Sequence, residues 1–273
     1  TIIGWMHGDE PDNAQELPGG GGYGPPIPPE RIVESYRKIR TADPSRPVLL
    51  NLGQGVAWDR WHGRGVRTNH PEDYPEYVQG CDIASFDIYP VAHSSPEVAG
   101  NLWFVAQGVE RLRRWAGPGR IVWNCLECTR INTPDRKATP DQVRAEAWMS
   151  IVHGSMGLIY FVHEWKPRFR EAALLDDPEM LTAVTALNRQ IAQLADVLNT
   201  PTLEPGGTVT SESAEVPVAA LWKRARGAQY VFAVALRGAP TTAEFRLPGT
   251  TPATEVEVID EGRILPLREG QFR

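Results

Sequence analysis

Residues 120–128, Arg120-Ile121-Val122-Trp123-Asn124-Cys125-Leu126-Glu127-Cys128, decide how the chain is read. The run is short, apolar and β-rich. It predicts a strand covered on both faces. Both of its flanks read as helices. Leu102–Trp115 sets Leu102, Val105, Ala106, Val109 and Leu112 on one side. Thr139-Pro140-Asp141-Gln142 opens the next helix, with Thr139 as N-cap and Pro140 in the first turn. Val143, Ala147, Trp148, Ile151 and Val152 supply that helix's buried face. A strand held between two helices is the unit of a parallel sheet.

The same alternation runs outward from this stretch. TIIGWMHGDEP (1–11) reads as a strand ending in a polar cluster. PGGGGYGPPIPP (18–29) excludes helix and central strand. Its run Gly19–Gly22 lacks the Lys-Ser/Thr of a phosphate loop and reads as a mobile lid beside Glu10. Ile32, Val33, Tyr36 and Ile39 have helical spacing, and PVLLNLGQG (47–55) is a strand. A short helix over 73–78, a strand CDIASFDIYPV (81–91), a strand LIYFV (158–162) and a helix over 179–198 complete the series. Residues 1–199 thus hold about five strand–helix units. After Pro201 the runs 216–222, 229–236, 243–247, 255–259 and 263–267 alternate with turn residues. They predict a small antiparallel β-domain over 200–273 with no helix.

Composition narrows the function. The chain has 273 residues, 41% hydrophobic and 23% charged, with a net charge of -6. Without a basic run there is no footprint for nucleic acid. No apolar stretch is long enough to span a bilayer, and no basic-then-apolar leader follows Thr1, which leaves the compartment open. Cys81, Cys125 and Cys128 are too few for a disulfide scaffold or a four-ligand zinc site. Cys125 and Cys128 lie on a strand, where redox C-x-x-C pairs do not sit. No metal or other cofactor is expected.

Polar residues gather where the predicted strands end: His7, Asp9 and Glu10; Asn51 and Gln54; Asp87 and Tyr89; Asn124 and Glu127; His163, Glu164 and Trp165. In barrels and open α/β sheets this face carries the chemistry. Glycoside hydrolysis needs two carboxyl groups flanking the scissile bond. Glu10 and Glu127 qualify, each at a strand end and far apart in sequence. An acid inside an apolar strand such as Glu127 is costly unless it has partners. The bland reading of Glu10 is a loop or capping carboxylate. Nine Trp offer flat surfaces with one polar handle each. Trp58 and Trp61, in a Gly-rich polar loop, read as a sugar platform in competition with core packing.

These segments resemble the large clan of retaining (β/α)8 glycosidases that includes cellulase-like enzymes and family 42 β-galactosidases. Gly4-Trp5-Met6-His7-Gly8-Asp9-Glu10-Pro11 is similar to the clan's fourth barrel strand, and Ser85-Phe86-Asp87-Ile88-Tyr89-Pro90 to its sixth. Ile121–Glu127 is similar to the seventh and Leu158–Trp165 to the eighth. The resemblance implies a partial (β/α) TIM-type barrel of about strands 4–8 with the small C-terminal antiparallel β-domain. It implies Glu10 as acid/base, Glu127 as nucleophile and Tyr89 as the residue orienting Glu127. Trp58, Trp61 and Trp165 would stack on sugar rings. His7, Asp9, Asn51, Asp87 and His163 would contact the sugar. The expected partner is an oligo- or polysaccharide or a small β-glycoside.

Two departures stand out. Asp9 occupies a position where the clan has Asn, so it accepts where an amide would donate. The clan's first three strands have no counterpart, although a full barrel takes roughly 250 residues. An open sheet leaves raw edges. A shortened open barrel, a homo-oligomer covering the edge and a fragment of a longer chain each meet that constraint. The competing function is a non-catalytic carbohydrate-binding or degenerate barrel fragment.

Overall fold

Five parallel strands form one curled sheet, a half-barrel, in the order in which they occur in the chain. They are β1 (Trp5–Met6), β2 (Val48–Leu52), β3 (Ile83–Phe86), β4 (Ile121–Glu127) and β5 (Gly157–Phe161). The structure is a computed structural model and describes residues 2–249 and 252–273. Helices α1 (Pro29–Ala42), α2 (Tyr74–Tyr77), α3 (Trp103–Ala116) and α4 (Pro140–Val152) fill the connections. The α/β alternation read from the sequence is therefore present, together with small antiparallel sheets nearer the C-terminus.

Burial follows from the composition of the strands. All four residues of β3 are buried, as in a strand covered on both faces. On β2, Val48, Leu50 and Leu52 are wholly buried. β1 differs: Trp5 and Met6 are both exposed, as on an edge strand. The strand expected over 81–91 keeps its regular pairing only to Phe86; Asp87 makes one further bridge to Cys125. Pro90, which has no amide to give the ladder, lies just beyond.

Two local features fix the helices. Thr139 Oγ1 accepts from the Gln142 amide while the Gln142 side chain accepts from the Thr139 amide, a reciprocal cap that starts α4. In α3, Gly108 lies against the sheet. A Cβ there would come within 2.2 Å of the Phe86 ring and 3.1 Å of Ala57. Phe86 is wholly buried and has nowhere to go.

The chain divides into two compact units, Thr1–Leu181 and Thr182–Arg273, with the boundary inside α5 (Pro178–Gln193). The helix expected over 179–198 is two helices, α5 and the short α6 (Ala195–Leu198). Strands β7 (Val218–Ala225) and β8 (Ala228–Ala235) form a hairpin. Its turn residues Arg226 and Gly227 both have positive φ, the geometry that matches the twist of two-residue hairpins. β10 (Glu255–Val258) pairs with β11 (Arg263–Pro266). β9 (Ala243–Arg246) pairs with β6 (Thr208–Ser211) and β12 (Gln271–Phe272), two short strands not expected from the sequence. The Phe245 and Phe272 rings stack 4.9 Å apart. No helix among the described residues is long and apolar enough to cross a membrane.

Gly108→Ala tests the packing of α3. Ala gains about 1 kcal/mol of helix propensity over Gly. Overpacking costs about 1–3 kcal/mol, so steric conflict with Phe86 should win. The expected outcome is a lower midpoint in urea denaturation.

Candidate functional site

The C-terminal ends of β1, β2 and β3 converge on a cluster of carboxyl groups. Glu10 follows β1, and its amide donates to Asn51 O at 3.2 Å. Its φ of 43° is uncommon for a non-glycine residue and turns the chain sharply. Asn51 and Ser85 are in register on β2 and β3. Ser85 Oγ donates to Asn51 Oδ1 at 2.6 Å, which turns the Asn51 amide nitrogen toward the acids. That nitrogen donates to Asp9 Oδ1 at 2.9 Å and to Asp87 Oδ2 at 3.1 Å.

Glu10 and Asp87 are carboxyl neighbours in this cluster. Two carboxyl groups in contact share a proton, since both cannot ionise cheaply. Burial, then the charges of Asp87 and Asp12, push Glu10 up to about 10. Burial also pushes Asp87 up, to about 7, while neighbouring Glu10 and Asn51 favour its charged form. Both groups thus bind a proton more tightly than a free carboxyl, and the Asn51 amide bonded to Asp87 favours the charge on that member and the proton on Glu10. Asp12 lies beneath them, wholly buried. The Gly53 amide donates to it at 2.9 Å and the Tyr74 hydroxyl at 2.8 Å.

Aromatic residues flank the cluster. On one side Trp61 is half-buried and packs on Trp58 at 6.1 Å and on His62 at 4.5 Å. Trp58 is 8% exposed, so it backs Trp61 and offers no platform of its own, contrary to the expectation. His93 meets the edge of Trp58 at 5.5 Å. The Ser95 amide donates to His93 Nδ1 at 3.0 Å, so Nε2 carries the proton and donates to Gln54 Oε1 at 2.6 Å. Trp61 Nε1 donates to Asn13 Oδ1 at 2.8 Å, and Asn13 Nδ2 donates to Glu10 Oε2 at 2.8 Å. On the other side an aromatic file runs through Tyr89, Phe161, His163, Phe169 and Trp165, with successive rings 4.9 to 5.9 Å apart. Trp165 is 49% exposed at its outer end.

Glu127 is placed differently. It is wholly buried, and the Val91 and Ala92 amides donate to its two oxygens at 2.6 and 2.7 Å. Its carboxyl neighbour is Glu146 of α4, also wholly buried, whose oxygens meet no other donor. Burial pushes Glu127 up to about 7 against the two amide bonds. Burial and the Glu127 charge raise Glu146 well above the carboxyl range, and the two amides on Glu127, with none on Glu146, favour the charge on Glu127 and the proton on Glu146.

Two expected contacts are corrected. The Tyr89 hydroxyl meets Cys125 Sγ at 3.6 Å, and the backbone of Val91 and Ala92 does the orienting of Glu127 assigned to Tyr89. His7 Nε2 bonds Gly80 O at 2.8 Å, so its ring is engaged by backbone away from the acids. Glu10, Asp9, Asn51 and Asp87 do come together, with Trp61 alongside. The expected lid at Gly19–Gly22 is the tip of a tight turn, closed by Leu17 N to Gly22 O at 2.9 Å and a Glu16–Tyr23 bridge. Among the described residues no group of His, Cys, Asp and Glu is disposed to hold a metal ion.

Asn13, His93 and Glu146 were not singled out from the sequence. Glu146 had a signal: it lies on the apolar face of α4 beside Val143 and Ala147, where a lone acid is anomalous. Asn13 and His93 lie in loops without periodicity. Compared with known proteins, the chain matches no family model, and no curated protein is similar to it.

The buried acids make stability depend on pH. Glu10, Asp87, Glu127 and Glu146 all bind protons more tightly folded than unfolded. Their stabilisation is complete below the unfolded carboxyl range and is lost as pH rises through the folded values. The urea midpoint should therefore fall between about pH 5 and about pH 8, and fall less in Glu146→Gln, which keeps a neutral partner for Glu127.

Proposed function

We propose that this chain hydrolyses β-glycosidic bonds, with Glu10 as the proton donor. What carries the reading is the setting of Glu10 beside Asp87 at the C-terminal face of a parallel sheet, where burial and neighbouring carboxylates raise its affinity for a proton. A general acid must keep its proton at neutral pH, and burial among other carboxylates is how proteins arrange this. Once Glu10 has protonated the leaving oxygen, it stands ionised beside Asp87. That repulsion makes it a strong base for the water of the second step. Trp61 on one side and Trp165 with Phe169 on the other offer flat apolar surfaces of the kind that stack on sugar rings.

The resemblance to retaining glycosidases assigns Glu127 as nucleophile. Its oxygens are held by the Val91 and Ala92 amides, so attack requires those two bonds to open. The same enclosure favours a second reading, a carbohydrate-binding domain without turnover, in which Glu127 and Glu146 are structural.

A panel of chromogenic β-glycosides with graded leaving groups separates the two. Glu10→Gln should lower kcat/KM roughly 10²–10⁴-fold on poor leaving groups and little on activated ones. Glu127→Ala should abolish turnover, and added azide should restore it with formation of a glycosyl azide of inverted configuration. Sugar binding by calorimetry with no turnover across the panel would establish the binding reading in its place.

A further inference from the structure

Asn13 joins the aromatic wall to the acid cluster. An indole N–H donates and cannot accept. Trp61 Nε1, 2.8 Å from Asn13, therefore fixes that atom as the amide oxygen. The Asn13 nitrogen is left facing Glu10 Oε2 at 2.8 Å. Nδ2 carries only donor hydrogens, so Oε2 is an acceptor and the proton of the neutral Glu10 belongs on Oε1. The backbone closes around the pair. A Cβ on Gly53 would lie 2.9 Å from Glu10 Oε1 and 2.9 Å from both polar atoms of the Asn13 amide. Gln15 Nε2 ties the turn together, donating to Asn13 O at 2.8 Å and to Glu10 O at 3.3 Å.

We infer that Asn13 is a positioning residue that dictates which oxygen of Glu10 carries the proton, and that Trp61 sets Asn13. The aromatic surface and the acid form one unit: the residue offered to a sugar ring also orients the group offered to the glycosidic oxygen. The consequence for turnover rests on the proposed role of Glu10. The hydrogen-bond relay itself does not.

Isotope-edited infrared spectroscopy tests the relay without any substrate. In protein labelled with ¹³C-carboxyl Glu, the C=O band of protonated Glu10 is isolated by subtracting the spectrum of Glu10→Gln. Asn13→Leu removes the donor to Oε2 and should shift the band to higher frequency. Trp61→Phe releases the Asn13 amide and should shift it part of the way. The double variant should match Asn13→Leu alone, because both act through one bond. Asn13→Asp, nearly isosteric and able to keep the Trp61 bond, guards against a folding failure. It adds a charge beside Glu10 and should move that group's deprotonation to higher pH.

An unmoved band in Asn13→Leu and Asn13→Asp, or additive shifts in the double variant, would overturn the relay. In kinetics, Asn13→Leu should lower kcat about tenfold on poor leaving groups, the scale of one charge-assisted hydrogen bond, with KM and activated substrates little changed. If no glycoside is turned over while the infrared shifts appear, the functional reading fails and the relay stands. Band shifts accompanied by equal losses on all leaving groups would overturn the claim that Asn13 serves proton donation.

Discussion

Glu10 and Asp87 touch, and two touching carboxyl groups cannot both be charged in a partly dry setting. Much of the region around them can be understood as arranging which one keeps the proton. β2 and β3 set Asn51 beside Ser85, so the Asn51 amide donates to Asp87. The turn after β1 brings Glu10 over the end of β2 at the cost of an unfavourable φ. Asp12, buried below, adds charge that opposes ionisation of Glu10. Groups with a single hydrogen-bonding role settle the orientation of ambiguous ones: the accepting oxygens of Asp9 and Asp87 turn the Asn51 nitrogen toward them, and the Trp61 N–H orients Asn13.

A second pair of buried acids obeys the same rule with a different outcome. Glu127 and Glu146 share a proton, but both oxygens of Glu127 are capped by backbone amides and neither residue reaches solvent. The pair by Glu10 lies beside half-buried and exposed aromatic residues, while this one is sealed between β4, α4 and the chain following Asp87. A retaining mechanism needs both pairs to take part, whereas acid donation alone needs only the first.

The fold was legible where hydrophobic periodicity is strong. The runs 47–55 and 120–128 gave β2 and β4, and the reciprocal cap of α4 was announced by Thr139, Pro140 and Gln142. It was less legible at the two-residue strands β1 and β12, which are too short to show a period. Among candidate site residues, Asp9, Glu10, Asn51 and Asp87 could be found because strand ends in parallel sheets collect polar side chains. Trp58 misled, since a Trp in a polar loop can still fold back under its neighbour. Asn13 and His93 could not be found, because nothing in a loop sequence states what its side chains will meet.

By itself the sequence determined the alternation of strands and helices, the parallel sheet it implies and the face on which polar groups collect, because these follow from local spacing of apolar residues. Only the tertiary structure decided the pairing of the acids. Glu10 meets Asp87, and Glu127 meets Glu146, through contacts between residues distant in sequence. A carboxyl's proton affinity depends on what lies within a few ångströms and on how much water is excluded, neither of which is encoded locally.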